Sequence, residues 1–195
     1  MALVVFLRGV NVGGHRTLRP SSLAEQLNHL GAVNIGAAGT LVIRRPVSRT
    51  RLREEVARLL PFGTTITICD GREIVSLPNR APFAGQRAGP GVVRFVSVLF
   101  TRPRLVPSTP VMFPSSRSWL LKVLATDSRF VFGMYRRHMK VIGYLGKLDR
   151  LFGVPVTTRN WNTIEAITRV LEDNTDRAAR RQPSPRRGRR LRRRS

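Results

Sequence analysis

The segment ALVVFLRGVNVGGHRT, residues 2–17, joins an apolar run to a glycine-rich polar loop. Residues 2–7 are continuously apolar and include two β-branched valines, which is typical of a buried strand. A serine pair beyond the loop can cap a helix through Leu30, in which leucines recur at helical spacing, and Gly31 is a typical helix stop. The pattern predicts a strand, a long loop and a helix at the start of the fold.

The rest of the first half continues this alternation of strands and helices. A β-like run with two glycines, residues 32–43, should form a strand entered through a tight turn, and an amphipathic helix is predicted at residues 49–60. Residues 64–69 alternate threonine with isoleucine, which indicates a half-buried strand. Asp70 and Glu73 then have the spacing of a capping box, which predicts a further short helix.

The second half begins after residues 79–91, which hold three glycines and two prolines and read as a connection. Its strands are predicted at 92–100, 119–124 and 130–135, and its helices at 145–152 and 163–171. Prolines in residues 101–118 exclude a regular helix there. The fold class is therefore α+β, with a first half at residues 1–88 and a second at 89–176.

The last segment, residues 177–195, has ten arginines, no acid and few apolar side chains. Such a segment buries too little surface to offset the roughly 1–2 kcal/mol per residue that backbone ordering costs. We therefore expect a disordered basic tail. It can contact phosphates without sequence preference, or it can have no role.

Composition excludes several kinds of protein. Cys69 is the only cysteine, so no intramolecular disulfide can form, and its strand-like surroundings favour burial over reactivity. Three histidines lack the spacing of zinc ligands, so we expect neither a metal nor a cofactor. The longest apolar-rich run, residues 92–100, is far shorter than the roughly 20 residues of a membrane span. The apolar run before Arg8 is too short for a secretory signal, so we expect a cytoplasmic protein that does not bind membranes.

The formal net charge of +24 points to a class of partner. Residues 1–176 hold 25 basic and 11 acidic side chains, so the excess is not confined to the tail. Such a charge attracts polyanions at long range and is screened by salt, but it does not define a binding site. A nucleotide or a nucleic acid is a candidate partner, and the sequence predicts no oligomeric state.

The loop RGVNVGG, residues 8–14, is the first candidate site. Arg8 can form a bidentate bond with a phosphate, Asn11 adds an amide, and Gly13 and Gly14 can present backbone N–H groups. The loop matches neither the phosphate loop of nucleotide hydrolases nor the dinucleotide-binding pattern. The alternative is that the glycines only allow a tight turn.

The string TTRNWNT, residues 157–163, is the second candidate site. Arg159, Asn160 and Asn162 bring a fixed cation and two amides beside Trp161, a suitable set for holding a phosphate or a base edge. The alternative is a helix-start turn, in which an asparagine caps the last helix and Trp161 packs on the core.

Other chemical patterns are less specific. The run YRRHMK, residues 135–140, can widen an electropositive groove or can be a solvated strand edge. The sequence suggests no serine–histidine–aspartate set and no pair of acids at catalytic spacing, so it identifies no general base.

The two strings together carry a family resemblance. VVFLRGVNVGGHR, the leucine-striped helix ending at Gly31, and LDRLFGVPVTTRNWNTI resemble the bacterial family called domain of unknown function 1697, over roughly residues 2–172. The resemblance implies two ferredoxin-like halves and supplies no activity. The chain departs from the family where members have a YxxSGNxxF-like string, because NIGAAGTLVI places Thr40 at the asparagine position.

Our leading hypothesis is that the two strings bind a phosphate-bearing ligand in a cleft between the halves. The ligand-binding residues would be Arg8, Asn11, Gly13, Gly14, Arg159, Asn160 and Asn162. One alternative is an enzyme that uses the same cleft, which predicts an enclosed pocket and a titratable group with a shifted pKa. Another is a structural or oligomeric protein, in which Arg8 and Arg159 make internal contacts far apart from each other.

Overall fold

The computed structural model describes residues 1–12, 16–103, 105–115 and 117–180, with side chains to residue 174. The described residues form two antiparallel sheets with helices against them, which confirms the α+β class. Each sheet belongs to one half of the chain.

The first half is a four-stranded sheet with three helices. Its elements are β1 Leu3–Leu7, α1 Pro20–Gln26, β2 Ala32–Asn34, β3 Thr40–Ile43, α2 Arg49–Leu59, β4 Ile66–Asp70 and α3 Gly71–Val75. The strand order is β2-β3-β1-β4 and all pairings are antiparallel. The succession β-α-β-β-α-β with β1 and β3 in the centre is the ferredoxin-like arrangement.

Local signals set several of these boundaries. Ser48 Oγ accepts from the backbone N of Arg51 at 3.2 Å at the start of α2, and the backbone N of Asp70 donates to Glu73 Oε2 at 2.8 Å before α3. Gly31 has φ +64° after the short 3-10 turn that extends α1, a conformation that favours glycine. The predicted capping box and the predicted glycine stop are confirmed. The serine pair was wrong as a cap, because α1 begins at Pro20 and has Arg19 at its N-cap, without a side-chain cap.

Residues 32–43 differ from the prediction of one strand. They form two strands, β2 and β3, joined by a tight turn in which Gly36 and Gly39 have φ +72° and +68°. The backbone N of Ile35 donates to Thr40 O at 2.8 Å across the turn. Two left-handed glycines reverse the chain, so the segment is a hairpin.

The second half has five strands and three helices. Its elements are β5 Val92–Leu99, β6 Val111–Phe113, β7 Leu121–Asp127, β8 Phe130–Arg136, α4 Val141–Gly146, α5 Leu148–Phe152, β9 Val156–Asn160 and α6 Trp161–Arg180. The order β6-β7-β8-β5-β9 repeats the arrangement of the first sheet with one added edge strand, β6. The proline-rich connector between β5 and β7 stands in place of the first helix.

The end of the chain departs from the prediction at two places. Residues 157–160 form most of β9, which pairs with β5 from Phe95↔Asn160 to Leu99↔Val156, where a polar turn was expected. Two threonines begin the string and suit a strand. Helix α6 continues to Arg180, so it overlaps the first four residues of the predicted tail, and residues 181–195 lie outside the described part.

Three apolar clusters hold these layers together. One lies between the two sheets and contains alternate residues of β1 and β5 together with the buried faces of α3 and α6. The others lie on the outer faces, between the first sheet and α1 and α2, and between the second sheet and α4 and α5. Because the central cluster draws on both halves, the halves share a core.

Candidate functional site

Arg159 lies in β9 with its side chain in the interface between the sheets. Five oxygen atoms accept from its guanidinium at 2.6 to 3.0 Å. The acceptors are Thr40 Oγ1, Thr157 Oγ1 and the carbonyl oxygens of Leu7, Ala38 and Thr158. A guanidinium has five N–H groups, so each has an acceptor in the protein itself. We call Arg159 and these five acceptors the junction.

The junction is buried and contains no carboxylate. Arg159 is only 6% exposed, and no described acidic side chain lies within 4 Å of it. Burial lowers the pKa of Arg159 to about 10, which leaves it charged at neutral pH. Carbonyl and hydroxyl dipoles therefore compensate the cation, and they tie β9 to the end of β1 and to the turn before β3.

Asn160 is the next residue of β9 and faces the other way. Consecutive side chains of a strand point to opposite faces of the sheet, so Arg159 and Asn160 cannot hold one small anion together. Asn160 Oδ1 accepts from the hydroxyl of Tyr135 at 2.9 Å. Burial raises the pKa of Tyr135, which keeps this hydroxyl protonated as a donor.

The first turn of α6 serves packing. Trp161 lies edge-on against Phe83, with ring centroids 5.0 Å apart, and packs on the central cluster. Asn162 is exposed beside it. The packing alternative for Trp161 is the one that the structure adopts, so this ring is not a free stacking surface.

Arg8 follows β1 and is joined to the far end of β9. Its Nε donates to Val156 O at 3.2 Å, and its terminal nitrogen pairs with Asp149. The other oxygen of Asp149 accepts from the backbone N of Val156 at 3.0 Å. Arg8 is 39% exposed, so its cation faces solvent in part while an acid neutralises it.

Asn11 fixes the loop that follows Arg8. Its φ of +57° is left-handed, and its Nδ2 donates to Leu18 O at 2.9 Å and to Ala37 O at 2.8 Å. Its Oδ1 accepts from the backbone N of Leu18 at 2.9 Å. The whole amide is thus occupied within the protein. Gly13 and Gly14 lie outside the described residues.

The two polar strings meet in space. Arg159 donates to Leu7 at the end of β1, and Arg8 donates to Val156 at the start of β9. The alternative of a structural protein predicted that Arg8 and Arg159 make internal contacts and lie far apart. Both arginines do make internal contacts, but they lie close to each other. Ligand binding by these residues stays a prediction. A strand places consecutive side chains on opposite faces, and recognising a strand here would have assigned Arg159 and Asn160 to different faces.

A second candidate site is a cleft away from the junction, lined by arginines that have no ion pair among the described residues. It has a volume of about 920 Å³ and lies between the first half and the last turns of α6. Its first-half lining includes Ala2, Arg44, Arg72 and Val75, and α6 contributes Leu171, among others. We call it the inter-half cleft. Nothing in the sequence singles out Arg44 or Arg72, since each looks like any other surface arginine of a basic chain.

Other reactive groups offer little chemistry. Burial raises the pKa of the Cys69 thiol to about 12, so it is not a thiolate at neutral pH. Within the described residues, no three potential metal ligands cluster. The helices of the described part are all too short or too polar to cross a bilayer.

Comparison with known proteins places the chain in a family. The family model described as "Protein of unknown function (DUF1697)" matches residues 1–108, more than half of the chain. The chain belongs to this family. Thr40, at the position where the family resemblance implies an asparagine, accepts from Arg159 Nε at 2.6 Å and so belongs to the junction.

A solved structure shares the fold. The conserved bacterial protein SP0830 from Streptococcus pneumoniae is similar with a TM-score of 0.54 and 15% identity, over 87% of this chain and 98% of that one. At this identity the likeness shows a common fold alone. None of the curated proteins with which the chain was compared matches it.

Proposed function

We propose that this protein binds a phosphate-bearing small molecule, such as a nucleotide, in the inter-half cleft. One observation carries the proposal: two arginines without acidic partners and an apolar wall occur together in one concave surface. Ligand sites are typically concave, largely apolar and equipped with a few polar groups. Both halves of the chain contribute to this cleft.

The cleft is lined by two cations, Arg44 and Arg72, and by one acid, Glu172. No described acidic side chain lies within 4 Å of either guanidinium. The Nε of Arg44 is buried and lacks a hydrogen-bond partner among the described residues. A buried donor without an acceptor costs free energy, and a phosphate that drew the Arg44 side chain toward the cleft and accepted from its Nε would offset that cost.

The apolar wall suits the rest of such a ligand. Ala2, Pro46, Val75 and Leu171 contribute apolar surface, and Asn79 adds an amide. Gly71 lies at the back, where an added Cβ would come within 3.0 Å of a Leu171 methyl and 3.2 Å of Ala2 O. The absence of a side chain there lets α3 approach α6, and that approach forms the base of the cleft.

The junction is less suited to this role. Each N–H of Arg159 already has an acceptor at 3.0 Å or less, so a phosphate would have to displace buried hydrogen bonds. Arg8 is paired with Asp149, whose charge would repel an anion. In the cleft, a phosphate would not have to displace an ion pair of Arg44 or Arg72.

Isothermal titration calorimetry with ATP, adenosine and inorganic phosphate tests the proposal. We expect ATP to bind, and Arg72→Ala or Arg44→Ala to raise its Kd by about tenfold, the usual effect of losing a charged hydrogen bond. Arg58→Ala, which removes an exposed cation of α2, is the matched control and should leave the Kd within about twofold.

Two results would overturn the proposal. One is the absence of heat with every compound at low salt. The other is an equal loss of affinity in Arg72→Ala and Arg58→Ala, which would mean that net charge alone attracts the ligand. Conversion of bound ATP to product would favour the enzyme alternative at the same cleft.

A further inference from the structure

We propose that a second surface, on the second half, binds single-stranded nucleic acid. The surface is a groove of about 440 Å³ between the start of β5 and the end of β8. It is formed chiefly by Arg87, Gly91, Trp119, Arg136 and Arg137, and we call it the basic groove. It shares no lining residue with the inter-half cleft, so it does not depend on the function proposed above.

The basic groove lies in a strongly basic part of the chain. Residues 86–140 contain ten basic side chains and one acidic side chain, Asp127. That acid pairs with Arg80. Among the described residues, no carboxylate lies within 4 Å of Arg87, Arg136 or Arg137. These three exposed guanidinium groups are thus available to phosphates.

Two further cations hold one wall of the groove in place. Arg94 donates to the backbone O of Gln86 at 3.0 Å, and Lys122 donates to its side-chain oxygen at 3.3 Å. Arg94 on β5 and Lys122 on β7 are both paired with Met134 on β8, the strand that lies between them. Because Gln86 is anchored on both sides, Arg87 is carried at a fixed position beside the groove.

A planar pair lies within the groove. Trp119 is half-buried and packs in part on the central cluster, and the guanidinium of the exposed Arg136 lies 4.7 Å from the centroid of its ring. Stacking on an aromatic ring fixes the plane of an arginine, and proteins bind unpaired bases by stacking them on such rings and guanidinium planes. A row of cations beside a stacking platform is the usual combination in single-strand binding.

Part of the groove wall is open backbone. Gly89 and Gly91 have nothing within 4 Å of the place where a Cβ would stand. The backbone N of Arg137 donates to Gly91 O at 2.8 Å and keeps this wall beside the arginines. A strand of nucleotides can therefore approach the backbone closely. A duplex keeps its bases stacked internally and would gain nothing from the Trp119–Arg136 pair.

The test uses the full chain and a fluorescein-labelled oligothymidylate, followed by anisotropy at about 50 mM and about 200 mM KCl. We expect the double substitution Arg136→Ala/Arg137→Ala to raise the Kd at least about tenfold at the lower salt. The charge-matched control is Arg51→Ala/Arg58→Ala in α2, which should raise it less than about twofold, because both residues are exposed in the other half. The arginines from residue 177 onward are present in every variant and cancel in the comparison.

A second readout is local to the groove. The chain has two tryptophans, Trp119 and Trp161, so Trp161→Phe leaves Trp119 as the sole reporter. We expect the oligothymidylate to quench its emission and a duplex of equal length to leave it unchanged. Trp119→Phe, which keeps only Trp161 outside the groove, should show no quenching.

Three outcomes would overturn the proposal. The first is an equal loss of affinity in the two arginine pairs, and the second is binding without a change in Trp119 emission. The third is binding of anionic phosphatidylserine vesicles without binding of the oligothymidylate, since Met139 and Ile142 are 90% and 59% exposed near the groove and could enter a lipid surface.

Discussion

Arg159 and Arg136 lie on strands that both pair with β5, yet their surroundings are opposite. Arg159 is buried against the ring of Phe6 with all its donors used inside the protein. Arg136 is exposed, stacks on Trp119 and has no acidic partner among the described residues. The more distinctive string, TTRNWNT, contains the arginine that is used inside the protein. The less specific run, YRRHMK, contains the arginine that is available to a ligand.

The difference has a physical basis. A buried cation must be matched by several oxygens at fixed positions, so the residues around it are tightly constrained and form a recognisable string. An exposed cation needs only solvent and tolerates many neighbours. Two of the five acceptors of Arg159, on Thr157 and Thr158, come from its own string. A polar string that looks like a ligand site can therefore include part of the internal solvation shell of one arginine.

The largest effect should come from removing the buried guanidinium. We expect Arg159→Met to lower the free energy of unfolding by about 3–5 kcal/mol, since several buried oxygens lose their donor. Urea unfolding followed by circular dichroism measures the change. Arg136→Met is the matched control, and we expect a change within about 0.5 kcal/mol.

An equal loss of stability in Arg159→Met and Arg136→Met would contradict the contrast between a buried and an exposed arginine. Arg159→Lys adds a finer test, because it keeps the charge but has three donors and a shorter reach. We expect it to be intermediate. If Arg159→Lys matched the wild type, the charge and not the five hydrogen bonds would hold the junction.

A smaller effect should come from the turn that supplies Ala38 O to the junction. Gly39→Ala would place a Cβ 2.9 Å from Leu7 Cβ at φ +68°, and we expect a loss of about 2–4 kcal/mol. Gly36→Ala, in the same turn at φ +72° with open space around it, should cost only about 1–2 kcal/mol. The same urea titration compares them, and equal losses would mean that the backbone angle alone matters.

The smallest effect should come from Arg8, at the edge of the same interface. We expect Arg8→Met to lower the free energy of unfolding by about 0–1 kcal/mol, because its pair with Asp149 is partly exposed to solvent. The loss should shrink in high salt. A loss as large as that of Arg159→Met would show that Arg8 belongs to the buried junction.

Local patterns in the sequence predicted much of the fold. The capping box at Asp70 and the glycine stop at Gly31 lie where they were expected, because each depends on a few neighbouring residues. The hairpin at residues 32–43 was predicted as one strand, since the two glycines signalled a turn but not the pairing of the segments on either side. The strand β9 was missed because its polar residues resembled a loop.

The candidate site was harder to predict for a geometric reason. Arg159, Asn160 and Asn162 are close in sequence, but one faces the sheet interface, one the opposite face, and one lies exposed on the helix that follows. The inter-half cleft brings Arg44 and Arg72 near α6, about a hundred residues further along the chain. Nothing in the local sequence of either arginine marks that meeting.

The sequence by itself determined the fold class, most helix and strand positions, the family and the excess of positive charge. Apolar periodicity, caps and glycines act over a few residues, so they can be interpreted without the rest of the molecule. The tertiary structure alone decided which arginines are buried and which are free. Burial and hydrogen-bond satisfaction depend on where distant segments pack, and in this protein the two sheets enclose Arg159 and leave Arg136 at the surface.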